Sequence, residues 1–226
     1  MVIPENIQEE GAVLLIDKEI KWTSFDVVRK VRSLLKVKKV GHAGTLDPLA
    51  TGLLIVCAGK KTKSIELYQG LPKEYTGTIE IGKTTPSYDL ETEIDSEKDI
   101  SEIKESDILE LTKIFSGDIL QTPPVYSAIK ISGKRAYNFA RNGEQVEIKS
   151  KPVRIENFEI TDINLPEIRF RLTCSKGFYV RSLARDVGIE LGVGAYLKKL
   201  RREKIGTFDV KDALTVSEFE ERIKSV

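Results

Sequence analysis

Two short apolar runs, residues 11–17 (GAVLLID) and 51–58 (TGLLIVCA), most narrow what this chain can fold into. Each has the length of a strand rather than a helix, and the first reads as buried. Around them the periodicity keeps changing. Thr23 and Ser24 can cap a helix from Phe25, with Val27, Val28, Val31, Leu34 and Leu35 at helical spacing. Residues 40–48 read as irregular, 62–71 as a short helix, and 73–81 as a half-exposed strand. A helix is expected near 107–115. Residues 119–131 are strand-like but broken by Pro123 and Pro124, which suits an edge or a bend. Residues 134–141 read as a helix ended by Asn142 and Gly143, 152–160 and 167–175 as strands, and 180–191 as a helix. Arg181 and Arg185, four apart, share a face of that helix away from its apolar side. A short strand near 207–210 and a helix from about Ser217 close the chain. There is no regular βαβ alternation, so the expected class is α+β with a mixed, largely antiparallel central sheet flanked by helices. With no repeat or linker in sight, residues 1–226 read as a single domain.

Charge and cysteine usage exclude more than they suggest. The net charge is only +1, so a nucleic-acid partner has to be sought in the distribution of charge. Residues 89–110 are acidic, whereas 29–39, 130–154 and 198–204 lean basic. Each basic stretch taken alone reads as the wet face of a helix or loop. Cys57 and Cys174 lie in apolar runs without a CxxC spacing and read as buried thiols in a reducing compartment. His42 is the only histidine, which leaves too few ligands for a His-rich or Cys/His metal site. The N-terminal residues lack a signal-peptide pattern, and no apolar run approaches membrane-span length. A cytoplasmic protein without membrane contact is expected.

The chemistry concentrates in residues 41–52, GHAGTLDPLATG. Gly41, Gly44 and Gly52 allow tight turns and close approach of a ligand. Asp47 is the only acid there, and Pro48 restricts it to an extended conformation. A carboxylate on such a stiff loop is suited to act as a nucleophile or base. Asp-Pro is equally a common way to start a turn, with the aspartate as cap.

The longer stretch GHAGTLDPLATGLL resembles the active-site motif of the TruB family of tRNA pseudouridine synthases. Three further stretches are similar to that family: KEYTG at 73–77, QTPPVYSAIK at 121–130 with Gly133, Tyr137, Ala140, Arg141 and Gly143, and CSKGFYVRSL at 174–183 with Leu200, Arg201 and Arg202 downstream. The resemblance implies the pseudouridine synthase fold with an RNA-gripping insert at 123–152. It implies a reaction without cofactor or metal, in which uridine 55 of the tRNA T-loop is flipped out and its uracil rejoined to the ribose through C5. It makes Asp47 the nucleophile, leaving open attack on the base, attack on the sugar, or a glycal route. Tyr75 would stack on the target base, and Arg181 would pair with Asp47 and keep it ionised. Tyr179 and Leu200 would line the uracil pocket, and His42 would pack against the RNA where the uridine leaves its stack. Lys130, Lys134, Arg135 and Arg141 would hold phosphates.

Two departures stand out. The family run Asp-Lys-Pro-x-Gly-x-Thr-Ser is here Asp17-Lys18-Glu19-Ile20-Lys21-Trp22-Thr23-Ser24. The chain also stops soon after Phe208, so the C-terminal PUA domain common in bacterial members is expected to be absent. A monomer acting on the T-arm without a guide RNA follows. The rival readings are a tRNA-binding chaperone without catalysis, a guide-RNA-dependent synthase, and an unrelated hydrolase using Asp47.

Overall fold

A computed structural model describes residues 7–127, 129–131, 133–136, 139, 144 and 146–225, with backbone alone for Gln8, Lys130, Ile131, Lys134 and Arg135. In chain order the elements are α1 (Ile7–Glu10), β1 (Ala12–Lys18), α2 (Ser24–Leu35), β2 (Val40–His42), β3 (Thr51–Ala58), α3 (Ile65–Gly70), β4 (Lys73–Ile81), β5 (Lys83–Thr84), β6 (Ser96–Glu97) and α4 (Glu105–Ile114). There follow β7 (Gly117–Gln121), β8 (Lys130–Ile131), β9 (Lys134–Arg135), β10 (Lys151–Asn164), β11 (Glu167–Cys174) and α5 (Val180–Glu190). The last are β12 (Ala195–Ile205), β13 (Phe208–Asp209), β14 (Leu214–Thr215) and α6 (Val216–Lys224). The class is the expected α+β, with mostly antiparallel strand pairing and flanking helices. Among the described residues no helix is long and apolar enough to cross a membrane.

The chain divides into two compact units. The first combines Met1–Thr76 with Leu200–Val226, and the second is Gly77–Lys199. In the first unit the strands run β14-β1-β3-β12, with β2 also on β3. β1 pairs antiparallel with β3 from Ala12↔Ala58 to Lys18↔Gly52. β3 is covered on both faces. Leu54 and Val56 meet Val27, Val28 and Val31 of α2, whereas Leu53, Ile55 and Cys57 pack with Ala43, Ile205 and Val210. Thr23 caps α2 in a reciprocal box with Asp26. Such a cap contributes about 1 kcal/mol. Burying three valines contributes on the order of 5 kcal/mol, so packing secures the helix and the cap sets its start.

In the second unit the order is β4-β11-β10-β7. β10 and β11 form a long hairpin with two register shifts. α4 packs on β10 through buried Ile108 and Leu111. α5 is buried through Leu183, Ala184 and Val187.

Three expectations need correction. β2 occupies the start of the stretch expected to be irregular, because Val40 to His42 extend the ladder onto β3. The stretch expected as one helix from Thr62 opens as a 3-10 turn over Gly59–Ser64 before α3. Lys134 and Arg135 open no helix but pair in β9 with β8; most of 137–143, including Arg141, lies outside the described residues. Arg181 in the first turn of α5 is buried, at 4% exposure.

β12 passes unassigned in the sequence because AYLKKLRREKI looks like a charged surface run. Its charges are matched inside the protein instead. Lys198 bonds Glu80 and Glu167 at 2.6 and 2.7 Å, and Arg201 grips Asp17 at 3.0 and 2.7 Å. Lys204 lies 3.6 Å from Glu74. Burial pushes the Glu80 carboxyl up, but the bonds from Lys198 and Tyr196 outweigh it and hold it below its ordinary value.

Candidate active site

Asp47 lies in the first unit, half-buried between β2 and β3. The Ala50 N–H donates to its carbonyl at 3.0 Å, so a tight turn follows it. The residues on either side are tied to the loop after β1. Ser24 Oγ accepts from the Leu46 N–H at 2.9 Å and donates to the Leu46 carbonyl at 3.1 Å. The Lys21 N–H donates to the Pro48 carbonyl at 2.8 Å.

Two fully buried cations complete this frame. Lys18 donates to the carbonyls of Trp22 (2.7 Å), Glu19 (3.0 Å) and Pro48 (3.4 Å). Arg202 donates from Nε to the Leu53 carbonyl at 2.7 Å and from Nη2 to the Gly44 carbonyl at 3.1 Å. Gly52 explains how Arg202 gets there. Its φ is +102°, and a Cβ would lie 2.3 Å from the Arg202 carbonyl oxygen. Only glycine lets β12 pass so close, in the register Arg202↔Gly52. Burial pulls the Lys18 amine down to about 8; Asp47 opposes that shift and Arg202 adds to it. Asp47 thus lies within electrostatic reach of Lys18. Such a frame holds a carboxylate in place, as a positioned nucleophile requires.

The altered run 17–24 keeps its function as a clamp. Lys21 adopts φ 69°, a left-handed conformation that favours glycine, at the position where the family run has Gly. Lys18 and Ser24, noted in the sequence only as matching residues, hold the loop around Asp47. Arg202 was hidden in a stretch read as a charge run. Its full burial is a property of β12 that no local pattern signals.

The other expected residues of this unit fall on its strands. Tyr75 is buried in β4 at 8% exposure. Leu200 is half-buried in β12. His42 ends β2, and burial, reinforced by Arg202, lowers its pKa, so the ring is neutral at pH 7. That favours packing over a charged role.

In the second unit Arg181 sits in the first turn of α5. It donates to the Tyr126 carbonyl at 2.9 Å and the Ser87 carbonyl at 3.2 Å, and its Nε lies 3.6 Å from Asp89. Asp89, counted in the sequence within the acidic stretch 89–110, is a buried partner of Arg181. Tyr179 precedes the helix. Gln121, fully buried, clasps its backbone, accepting from the Tyr179 N–H at 2.8 Å and donating to its carbonyl at 3.1 Å. Lys130, Lys134 and Arg135 lie on the β8–β9 pair; Arg141 lies outside the described residues.

Comparisons with known proteins agree over nearly the whole chain. The family model described as TruB family pseudouridylate synthase (N terminal domain) matches residues 32–180, and that of the tRNA pseudouridylate synthase B C-terminal domain matches 181–225. The chain is 55% identical to tRNA pseudouridine synthase B of Flavobacterium johnsoniae, covering 95% of this chain and 97% of that protein. It is 51% identical to the protein of that name from Phocaeicola vulgatus, covering 94% and 93%. Among solved structures, a Cbf5-Nop10-Gar1 complex contains a chain that matches with a TM-score of 0.75 at 27% identity. The match covers 97% of this chain and 56% of that longer one. Two family models and these relatives, joined to a rigidly framed aspartate in the GHAGTLDPLATG loop, place the chain in the TruB family of pseudouridine synthases.

Proposed function

We propose that this protein converts uridine 55 in the T-loop of tRNA to pseudouridine, with Asp47 as the nucleophile. The observation that carries the reading is Asp47 itself, within electrostatic reach of Lys18 on a loop clamped by Ser24, Lys18 and Arg202. In the reaction the bond from C1′ to N1 of uracil breaks, the base turns, and a bond from C1′ to C5 forms. The C5 proton leaves to solvent, N1 takes up a proton, and the Asp47 carboxylate is regenerated.

Each remaining residue answers a physical need. Flipping the uridine out of its stack costs a few kcal/mol. Stacking on an aromatic ring such as Tyr75 is worth roughly 1–3 kcal/mol and offsets it. Pairing with Arg181 would keep the Asp47 carboxylate ionised against desolvation. Tyr179 and Leu200 would enclose the uracil, and His42 would pack at the exit from the stack. Lys130, Lys134, Arg135 and Arg141, in an insert at 123–152 of a single synthase domain, would position the T-arm through phosphates. The protein would act as a cytoplasmic monomer, without cofactor or guide RNA. The curated relatives at 51–55% identity are named as tRNA enzymes, which favours this over the guided reading suggested by the Cbf5 complex at 27%.

Asp47→Asn tests it. Asparagine keeps the shape and serves nearly as well in a turn. The expected outcome is loss of tritium release from tRNA labelled at C5 of uridine, with filter-binding affinity and thermal unfolding unchanged. Normal release by a variant shown free of deamidation would remove Asp47 from the chemistry. The isolated T-arm should react within about a hundredfold of whole tRNA, equivalent to roughly 2.7 kcal/mol.

A further inference from the structure

Lys151 opens β10 opposite Gln121 of β7. Its ammonium stands 4.8 Å from the centroid of the Tyr179 ring. The frame beneath it is fixed, because buried Gln121 clasps the Tyr179 backbone from both sides. Gly177 leaves room for the amine. Its φ is +79°, and a Cβ there would come within 3.2 Å of Lys151 Nζ.

This lysine lacks what a half-buried cation normally has. Among the described residues no carboxylate lies within ion-pair reach of it, and no oxygen accepts a hydrogen bond from its Nζ. Burial alone lowers its pKa, with no anion opposing the shift. The ring beneath attracts the cation through its quadrupole but supplies no counter-charge. The ammonium donors therefore remain available to a ligand that approaches the Tyr179 ring.

We propose that Lys151 binds a backbone phosphate of the RNA substrate, beside the nucleotide that meets Tyr179. The proposal rests on the reading above, in which Tyr179 lines the uracil pocket. Phosphate fits better than a carbonyl of the base. A partly desolvated ammonium is compensated by an anion, whereas a neutral carbonyl leaves its charge unbalanced. As a point charge on a flexible stem, lysine reads the phosphate without reading sequence.

The test compares Lys151→Met, Lys151→Gln and Lys151→Arg with the wild type, using a T-arm stem-loop transcript. Affinity is measured across a salt series and tritium release is followed in parallel. Loss of one phosphate contact should flatten the slope of log K against log salt by about 0.7–0.9 in the Met and Gln variants, while Arg retains it. Amine-reactive footprinting of the wild type, which needs no variant, should show Lys151 protected by bound RNA. Met and Gln variants with an unchanged slope, or an unprotected Lys151, would overturn the proposal. A fall in turnover at unchanged slope would also overturn it, since Lys151 would then act through Tyr179 or the base. Absence of tritium release in the wild type strikes the functional reading instead, and the slopes still decide the role of Lys151.

Discussion

β12 and the first residue of β10 are both basic, yet the protein treats their charges in opposite ways. On β12, Lys198, Arg201 and Lys204 each face carboxylates, and Arg202 is enclosed by carbonyls. At Lys151 the described residues supply a ring face and no anion within ion-pair reach. Matched cations hold the fold together, whereas an unmatched, half-buried one is poised for a ligand. A basic run in a sequence therefore does not mark a phosphate surface until its internal partners have been subtracted.

The sharpest way to break the comparison is at Arg202. Arg202→Met keeps the bulk and leaves the carbonyls of Leu53 and Gly44 without their donor. Each buried acceptor left unmade costs about 1–3 kcal/mol, so the loss should total roughly 2–6 kcal/mol. For a chain of this size that lowers the melting temperature by several degrees or more. Tritium release should fall with it, because the turn carrying Asp47 loses an anchor, and Arg202→Lys should recover part of both. A variant as stable as the wild type but with a flatter salt slope would make Arg202 an RNA-facing cation and erase the contrast.

Lys198→Met probes a half-buried member of the matched set. It leaves Glu80, whose side chain is 8% exposed, without its closest cation. The pair is partly open to water, so about 1–2 kcal/mol is expected at neutral pH. The sign of its pH dependence is fixed. Glu80 and Glu167 are both held below the ordinary value of 4.5. Their contribution is fully present above that value and fades as pH falls through the lower folded values. Wild type and variant should therefore converge in unfolding experiments toward pH 3, and a gap that persists in acid would mean that Lys198 contributes by packing.

The same contrast explains what the sequence made legible. β1, β3, β4 and α2 were readable because their apolar period or their cap lies within a few residues. Asp47, Tyr75, Arg181 and Tyr179 are singled out only through long motifs, since each alone resembles a common turn, strand or surface residue. β12 was not readable, because what makes it a strand lies far along the chain: Asp17, Glu74, Glu80 and Glu167 supply its counter-charges. The clamp around Asp47 was invisible for the same reason. Arg202 reaches the Gly44 carbonyl across 158 residues of sequence. Of the helix expected over 134–141, Lys134 and Arg135 pair with β8 instead, whereas Ala136 and Phe139 are helical and most of the remainder lies outside the described residues.

Lys21 gives the smallest expected effect and the finest test. Its side chain is exposed, and among the described residues no carboxylate pairs with it. Its backbone contribution is the N–H bonded to Pro48, which any residue but proline supplies. At φ 69° a side chain carries a penalty of about 1–2 kcal/mol that glycine escapes. Glycine in turn gains roughly 0.5–1 kcal/mol of freedom in the unfolded chain, which offsets part of the relief. Lys21→Gly should therefore stabilise the protein by about 0.5–1 kcal/mol, a rise of roughly 1–4 °C in melting temperature. Tritium release should be unchanged, because the clamp on Pro48 survives. A lower melting temperature would mean that the Lys21 side chain is matched after all, by a contribution large enough to hold a lysine where the backbone favours glycine.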